Sequence, residues 1–147
     1  MNDVSNNAHR LLQLFNQMRD KRHSPAFLRL NELNLSFTHV RALHLLACNR
    51  TLAMKDLAEQ LRLTPPSVTA LTRRLVQVGL VHREADAEDS RVTLLSPTAE
   101  GQTLLNALYQ DQLGQMERLL QGLAPGEQQL FLDLLERAVL AIQSGDQ

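Results

Sequence analysis

Apolar residues recur at three- and four-residue steps along most of this chain, the spacing that lines one face of a helix. Val4, Ala8, Leu11, Leu12, Phe15 and Met18 form such a stripe and predict an amphipathic helix over the first twenty residues. From Asp20 to Leu35 the pattern weakens, and Ser24-Pro25 is expected to interrupt it, because the residue before a proline avoids the helical region. A helix begins after Ser36, a good N-cap, and carries Val40, Leu43, Leu46 and Ala47 inward until it stops near Asn49-Arg50. Thr51-Leu52-Ala53 reads as a brief strand. Two short helices follow. The first runs from about Lys55 to Leu61 and buries Leu57, Ala58 and Leu61. Thr64 caps the second, with Pro65 in its first turn, where a missing N–H costs nothing. Its inward stripe is Val68, Leu71, Leu75 and Val78, and Gly79 closes it in a left-handed conformation.

After that helix the period changes to that of strands. Leu80–Glu84 and Arg91–Leu95 are predicted as two strands joined by the polar loop Ala85–Ser90. Helical spacing then resumes through Leu104, Leu105, Leu108, Tyr109, Met116, Leu119 and Leu120. Pro125-Gly126 is expected to break it before a last helix marked by Leu130, Phe131, Leu134, Leu135, Ala138 and Ile142. The expected fold is mainly α with a small β-hairpin. The first and last helices are apolar on one face and far apart in sequence. They can cover each other and still leave apolar surface, so a helical dimer interface competes with a purely intramolecular core.

Composition narrows the function. With 147 residues, 44% of them hydrophobic and 21% charged, the chain reads as one globular domain or one domain with a helical appendage. No apolar run approaches the roughly 18 residues of a membrane helix, and the polar opening shows no secretory signal. The single cysteine, Cys48, cannot form an internal disulfide and suits a reducing cytosol, so a cytoplasmic protein is expected. Aromatics are only 3%, with no Trp, which argues against a module that stacks exposed bases. The formal net charge of −1 conceals an uneven distribution: +3 over residues 1–49, +1 over 50–94 and −5 over 95–147. Between Arg62 and Arg83 lie four arginines and no carboxylate, whereas Glu84–Asp89 holds four acids. A basic strip in a near-neutral chain is either a phosphate footprint or a solvated helix face.

Order along the chain favours the footprint. A short helix, a tight turn, a second helix with a basic outer face and a hairpin form a winged helix-turn-helix. Ala58 is small enough for the second helix to cross the first closely, and Val68 anchors that second helix. Ser67, Thr69, Ala70, Arg73, Arg74 and Gln77 are then expected to point outward. Small hydroxyls and Ala can enter a major groove, and arginines can pair with guanine edges or phosphates. The hairpin can serve as a wing whose tip reaches the adjacent minor groove, where negative potential favours an arginine. Arg91 is the basic residue next to that loop.

At these residues the chain resembles the MarR family of bacterial winged-helix regulators. The resemblance rests on Met54-Lys55-Asp56-Leu57-Ala58-Glu59-Gln60-Leu61, Pro66-Ser67-Val68-Thr69, Arg74-Leu75 and Gly79-Leu80-Val81-His82-Arg83. Asp86, Glu88-Asp89-Ser90-Arg91 in the wing, Thr98 with Gly101, and Ser36-Phe37-Thr38 extend it over most of the chain. It implies a homodimer built from the terminal helices, with residues 1–35 an N-terminal dimerisation helix and connector, 36–96 the DNA-binding domain and 97–147 the C-terminal dimerisation helices. It further implies a repressor on a roughly palindromic double-stranded DNA site, released by a small aromatic or anionic effector. Carried over, Ser67, Thr69, Ala70, Arg73 and Arg74 form the recognition face, Arg91 is the minor-groove arginine and Asp89 the acid that orients it. Three positions depart from the family pattern: Ala70 stands where an arginine is common, Arg62 where glycine is usual at the turn, and Pro97 where leucine precedes Thr98. The acidic wing loop also predicts weak non-specific affinity.

Other chemistry reads poorly. His9, His23, His39, His44 and His82 lack metal-ligand spacing; His39 and His44 stand about 140° apart around a helix. There is no phosphate-binding glycine loop, nucleophile elbow or zinc-hydrolase motif, so neither catalysis, a cofactor nor a metal is expected. Cys48 is expected as a small core residue rather than an oxidant sensor; relatives that sense peroxide place their cysteine near the first helix. The remaining alternatives are a winged helix that binds protein, favoured by the acidic loop, and a cysteine-based redox regulator.

Overall fold

The computed structural model describes residues 3–18 and 24–145. Residues 3–111 and 112–145 fall into separate compact units, each described on its own.

In the first unit, α1 (Asp3–Met18) is amphipathic along its whole length and buries none of its residues, leaving Leu11, Leu12 and Phe15 exposed. The expected interruption at Ser24-Pro25 is instead a helix start. Ser24 accepts from the Phe27 N–H at 3.2 Å and Pro25 supplies a first position that needs no donor, so α2 (Pro25–Glu32) begins there. The same serine hydroxyl donates to the Asp111 carboxylate. The remainder of that expectation, residues 20–23, lies outside the described residues.

Next come α3 (Phe37–Asn49), a two-residue β1 (Leu52–Ala53), α4 (Met54–Leu61) and α5 (Pro65–Gln77). β2 (Val81–Ala85) and β3 (Thr93–Pro97) follow, and α6 (Ala99–Gln121) starts within this unit. The strands form one antiparallel sheet in the order β1-β3-β2, with Leu52 opposite Leu95 and Arg83 opposite the same Leu95 on its other side. The hairpin therefore gains a third strand from the start of the helix-turn-helix. Both hairpin strands lie later in sequence than expected, because Arg91 and Val92 are used to close the loop. Asp86 N–H donates to the Val92 carbonyl and Val92 N–H to the Asp89 carbonyl, each at 2.9 Å.

Leu43 and Leu46 from α3, Leu57 from α4, Val68 and Leu75 from α5 and Leu95 from β3 are essentially fully buried and form the core under the helix pair. Thr72 joins them where the stripe reading placed only apolar side chains; Val78 is half-exposed. The threonine is tolerated because its hydroxyl donates to the Val68 carbonyl at 2.8 Å. Thr98 donates to the Gly79 carbonyl at 2.6 Å and accepts from the Gly101 N–H at 3.1 Å, which ties the end of the hairpin to the start of α6.

The second unit holds the end of α6 and α7 (Pro125–Gly145). Pro125-Gly126 is not the break. The chain turns at Gly122–Ala124, and Pro125 opens the next helix, with Glu127 accepting from the Ala124 N–H at 2.8 Å. None of α7 is buried; Leu130, Phe131, Leu134, Leu135 and Ile142 all face outward.

Candidate nucleic-acid interface

The turn between α4 and α5 fixes how the second helix is presented. Arg62 adopts a left-handed conformation (φ 54°, ψ 43°). Its N–H reaches the Glu59 carbonyl at 3.1 Å and the Leu63 N–H reaches Ala58 at 3.0 Å, which together close α4. Thr64 then accepts from the Ser67 N–H at 3.4 Å and α5 begins.

Along α5, Ser67, Ala70, Arg73 and Gln77 are exposed and follow one another at helical steps, so they share an outer stripe. The Ser67 hydroxyl lies 2.8 Å from that of Thr64. Thr69 is half-buried beside this stripe and spends its hydroxyl on the Pro65 carbonyl at 2.8 Å, which leaves its methyl as the group it offers. Arg74 corrects the sequence expectation. It is half-buried and turned away from the outer stripe, donating through Nε at 3.2 Å and Nη2 at 2.6 Å to the Leu33 carbonyl at the end of α2. The adjacent Arg73 lies about 100° further round the helix, so two neighbouring arginines face different surroundings.

The wing tip is a compact turn. Asp89 accepts the Arg91 backbone N–H at 3.0 Å, an Asx-turn contact that takes Arg91 out of the ladder. The same carboxylate oxygen stands 3.3 Å from Arg91 Nε. The side chain of Arg91 is 92% exposed and Asp89's 49%, so the pair adds little stability but biases the arginine's direction at the tip. The sequence-predicted residues thus fall into an outer stripe on α5 and an ion pair on the wing, with Arg74 belonging to neither.

Two residues escaped the sequence reading. His39 takes the place of a capping-box carboxamide: its Nδ1 accepts from the Ser36 N–H at 3.1 Å at the start of α3. Burial first, and the Arg74 guanidinium second, hold its imidazole below the ordinary value. Ser-x-x-His at a helix start was the available signal. The second is Leu33, whose part is played by a backbone carbonyl and leaves no trace in side-chain pattern. Cys48, expected in the core, is exposed on α3, with its sulfur 3.5 Å from His44 Nε2. Among the described residues no cluster of His, Cys, Asp or Glu is arranged to hold a metal, and no helix is long and apolar enough to cross a membrane.

A helix pair with an exposed polar stripe that carries Arg73, followed by a hairpin tipped by arginine, defines a winged helix-turn-helix DNA-binding protein. The MarR family pattern matches residues 35–93. The HTH-type transcriptional regulator FarR of Neisseria gonorrhoeae is 33% identical over 106 residues, 72% of this chain and 73% of FarR. The chain belongs to the MarR family of transcriptional regulators. Its fold is similar to that of YusO from Bacillus subtilis, with a TM-score of 0.82 at 22% identity over 94% of this chain and 95% of YusO. It is also similar to NadR solved with 4-hydroxyphenylacetate, with a TM-score of 0.55 at 30% identity over 87% and 88% of the two chains.

Proposed function

We propose that the chain acts as a homodimeric, ligand-responsive repressor on a roughly palindromic operator in the bacterial cytoplasm, bound to the nucleoid. The observation that carries this is the outer stripe of α5 together with the Asp89–Arg91 wing tip, both on the helix-turn-helix unit. Ser67, Ala70 and the Thr69 methyl offer small groups to base edges, Arg73 a long cation, and Arg91 an arginine for the flanking minor groove. Such a pair of contacts fits one half-site, and a palindrome requires two copies. The uncovered apolar faces of α1 and α7 support a second copy as their partner, since exposed apolar surface on this scale marks an interface. This assigns residues 1–35 and 97–147 to dimerisation and 36–96 to DNA reading.

An effector site is supported by a groove of about 500 Å³ between α2, the turn after α5 and α6, lined by Leu33, Val78, Leu80 and Leu104, with Arg29 and Glu100 the charged residues on its wall. A small apolar or aromatic body suits such a lining, and Arg29 is the cation that an anionic end would meet. NadR, which was solved with a hydroxylated aromatic acid, supports the same class of compound. The acidic wing, with Asp86, Glu88 and Asp89, favours a second reading in which the winged helix binds protein.

Titrating the protein with duplex DNA from upstream of its own gene, at several salt concentrations, tests these readings. Two subunits per site and affinity falling steeply with salt are expected. Affinity no greater than for random duplex and insensitive to salt would favour the protein-binding alternative.

A further inference from the structure

The last carbonyls of a helix have no donor within it, and they carry the negative end of the helix dipole. At the end of α2 the Leu33 carbonyl is met by Arg74, 41 residues later in the chain, through two N–H groups of one guanidinium edge at 3.2 and 2.6 Å. That edge is the one an arginine would otherwise present to a guanine or a phosphate. We propose that Arg74 is a positioning residue: by holding the end of α2 it sets the roll of α5, and so the angle at which Ser67, Thr69, Ala70 and Arg73 meet DNA. The proposal rests on α5 being the helix that reads DNA.

The grip works beside the packing of α5. Val68, Leu71, Thr72 and Leu75 bury one side of the helix, and contacts on its flank add to what sets its rotation about the axis. A two-pronged hydrogen bond on the flank, from a planar group with a preferred direction, restrains that rotation. The bond also joins two parts of the molecule. The Leu33 side chain lines the groove beside Arg29, while its carbonyl holds the recognition helix. Displacement of Leu33 from the groove side is therefore passed to α5 by the same peptide unit. Arg73, exposed and without an ion pair among the described residues, is left to the solvent side.

The test uses two labelled duplexes of equal length: one selected by the wild-type protein from a random-sequence library, and a scrambled one. Affinities of the full-length wild type, Arg74→Ala, Arg74→Gln and Arg73→Ala are measured by fluorescence anisotropy over a range of salt. Arg74→Ala should lose about tenfold or more on the selected duplex and little on the scrambled one, with its salt slope unchanged. Arg74→Gln, whose amide still donates to a carbonyl, should recover most of that loss. Arg73→Ala should weaken both duplexes and lower the slope by about one. Weakening of both duplexes by both Arg74 variants, with the slope lowered by about one, would make Arg74 a phosphate contact and overturn the proposal. So would wild-type affinity in Arg74→Ala. Should Arg74→Ala not fold, Arg74→Lys, whose ammonium can also donate to the carbonyl, is read beside Arg74→Gln: a salt slope lowered by about one in Gln alone overturns the proposal, and an unchanged slope in both upholds it. If Arg73→Ala alone were silent, the outer-stripe assignment would fail, while the Gln rescue still tests Arg74.

Discussion

Gly101, in the first turn of α6, lies directly against the carbonyl oxygen of Leu80: a Cβ at 101 would collide with that oxygen and stand 3.1 Å from Leu43 Cδ1. The obstacle is backbone, so no rotamer change relieves it. Thr98 and Gly101 therefore act together, the threonine fastening the start of α6 to the Gly79 carbonyl and the glycine letting it approach. Gly101→Ala is expected to destabilise the fold by about 1–3 kcal/mol, read from urea unfolding monitored by circular dichroism.

Arg62 holds a left-handed backbone that glycine adopts without penalty. Arg62→Gly should stabilise the protein by up to about 1 kcal/mol, because relief of the Cβ clash exceeds the added freedom of the unfolded chain. A lowered unfolding midpoint would show that the arginine's side chain contributes more than its backbone costs.

The His39 cap predicts a pH effect. Its ring accepts from the Ser36 N–H, which requires an unprotonated Nδ1, and its folded pKa lies below the ordinary 6.5. The unfolded chain thus binds more protons, so this contribution is fully present above pH 6.5 and is lost as pH falls through the lowered folded value. His39→Gln keeps an acceptor at the cap and should flatten that part of the stability profile. A profile identical to wild type would assign the pH dependence elsewhere.

At the wing, Arg91→Ala should weaken binding to a selected duplex by about 1–3 kcal/mol and lower the salt slope by about one. Asp89→Ala should cost less, since it removes a guide and leaves the cation. Arg91→Ala should unfold at the wild-type midpoint, because the pair is largely exposed, whereas Asp89→Ala also removes the acceptor of the Arg91 backbone N–H and should lower the midpoint slightly. Equal affinity of Arg91→Ala and wild type would remove the wing from the interface.

Cys48 is exposed, so a maleimide should label it in the folded protein. Labelling only after unfolding would return it to the core.

What the sequence shows and what it hides divide along physical lines. The helix pair was legible because Leu57, Leu61, Val68, Leu71 and Leu75 repeat at helical spacing and Thr64-Pro65 marks a start. Ser24-Pro25 carries the same start signal, and proline's fitness for a first turn outweighs its effect on its predecessor. The strand limits shifted because Asp89's side chain competes with the ladder for the Arg91 N–H, a contact that strand periodicity does not register. The role of Arg74 is hidden for a related reason. Its partner is a main-chain carbonyl 41 residues away, and residue type along α5 cannot distinguish an arginine held by the fold from one free to meet DNA. A lone cysteine is on average a core residue, but Ala42, Leu43 and Leu46 already fill the buried side of α3 and leave Cys48 outside.

The three-stranded sheet has a mechanical result. β3 is bonded on one side to the strand that runs into α4 and on the other to the strand that leaves α5. The base of the hairpin is thus clamped at both ends of the helix pair, which fixes where the wing departs relative to the outer stripe of α5. Docked as proposed, the unit behaves as a rigid gauge laid across one half-site. Adding a single base pair between the major-groove bases and the flanking minor groove, a step of about 3.4 Å, cannot be absorbed at the clamped base of the wing, so the tip loop or the DNA must distort or one contact must be given up.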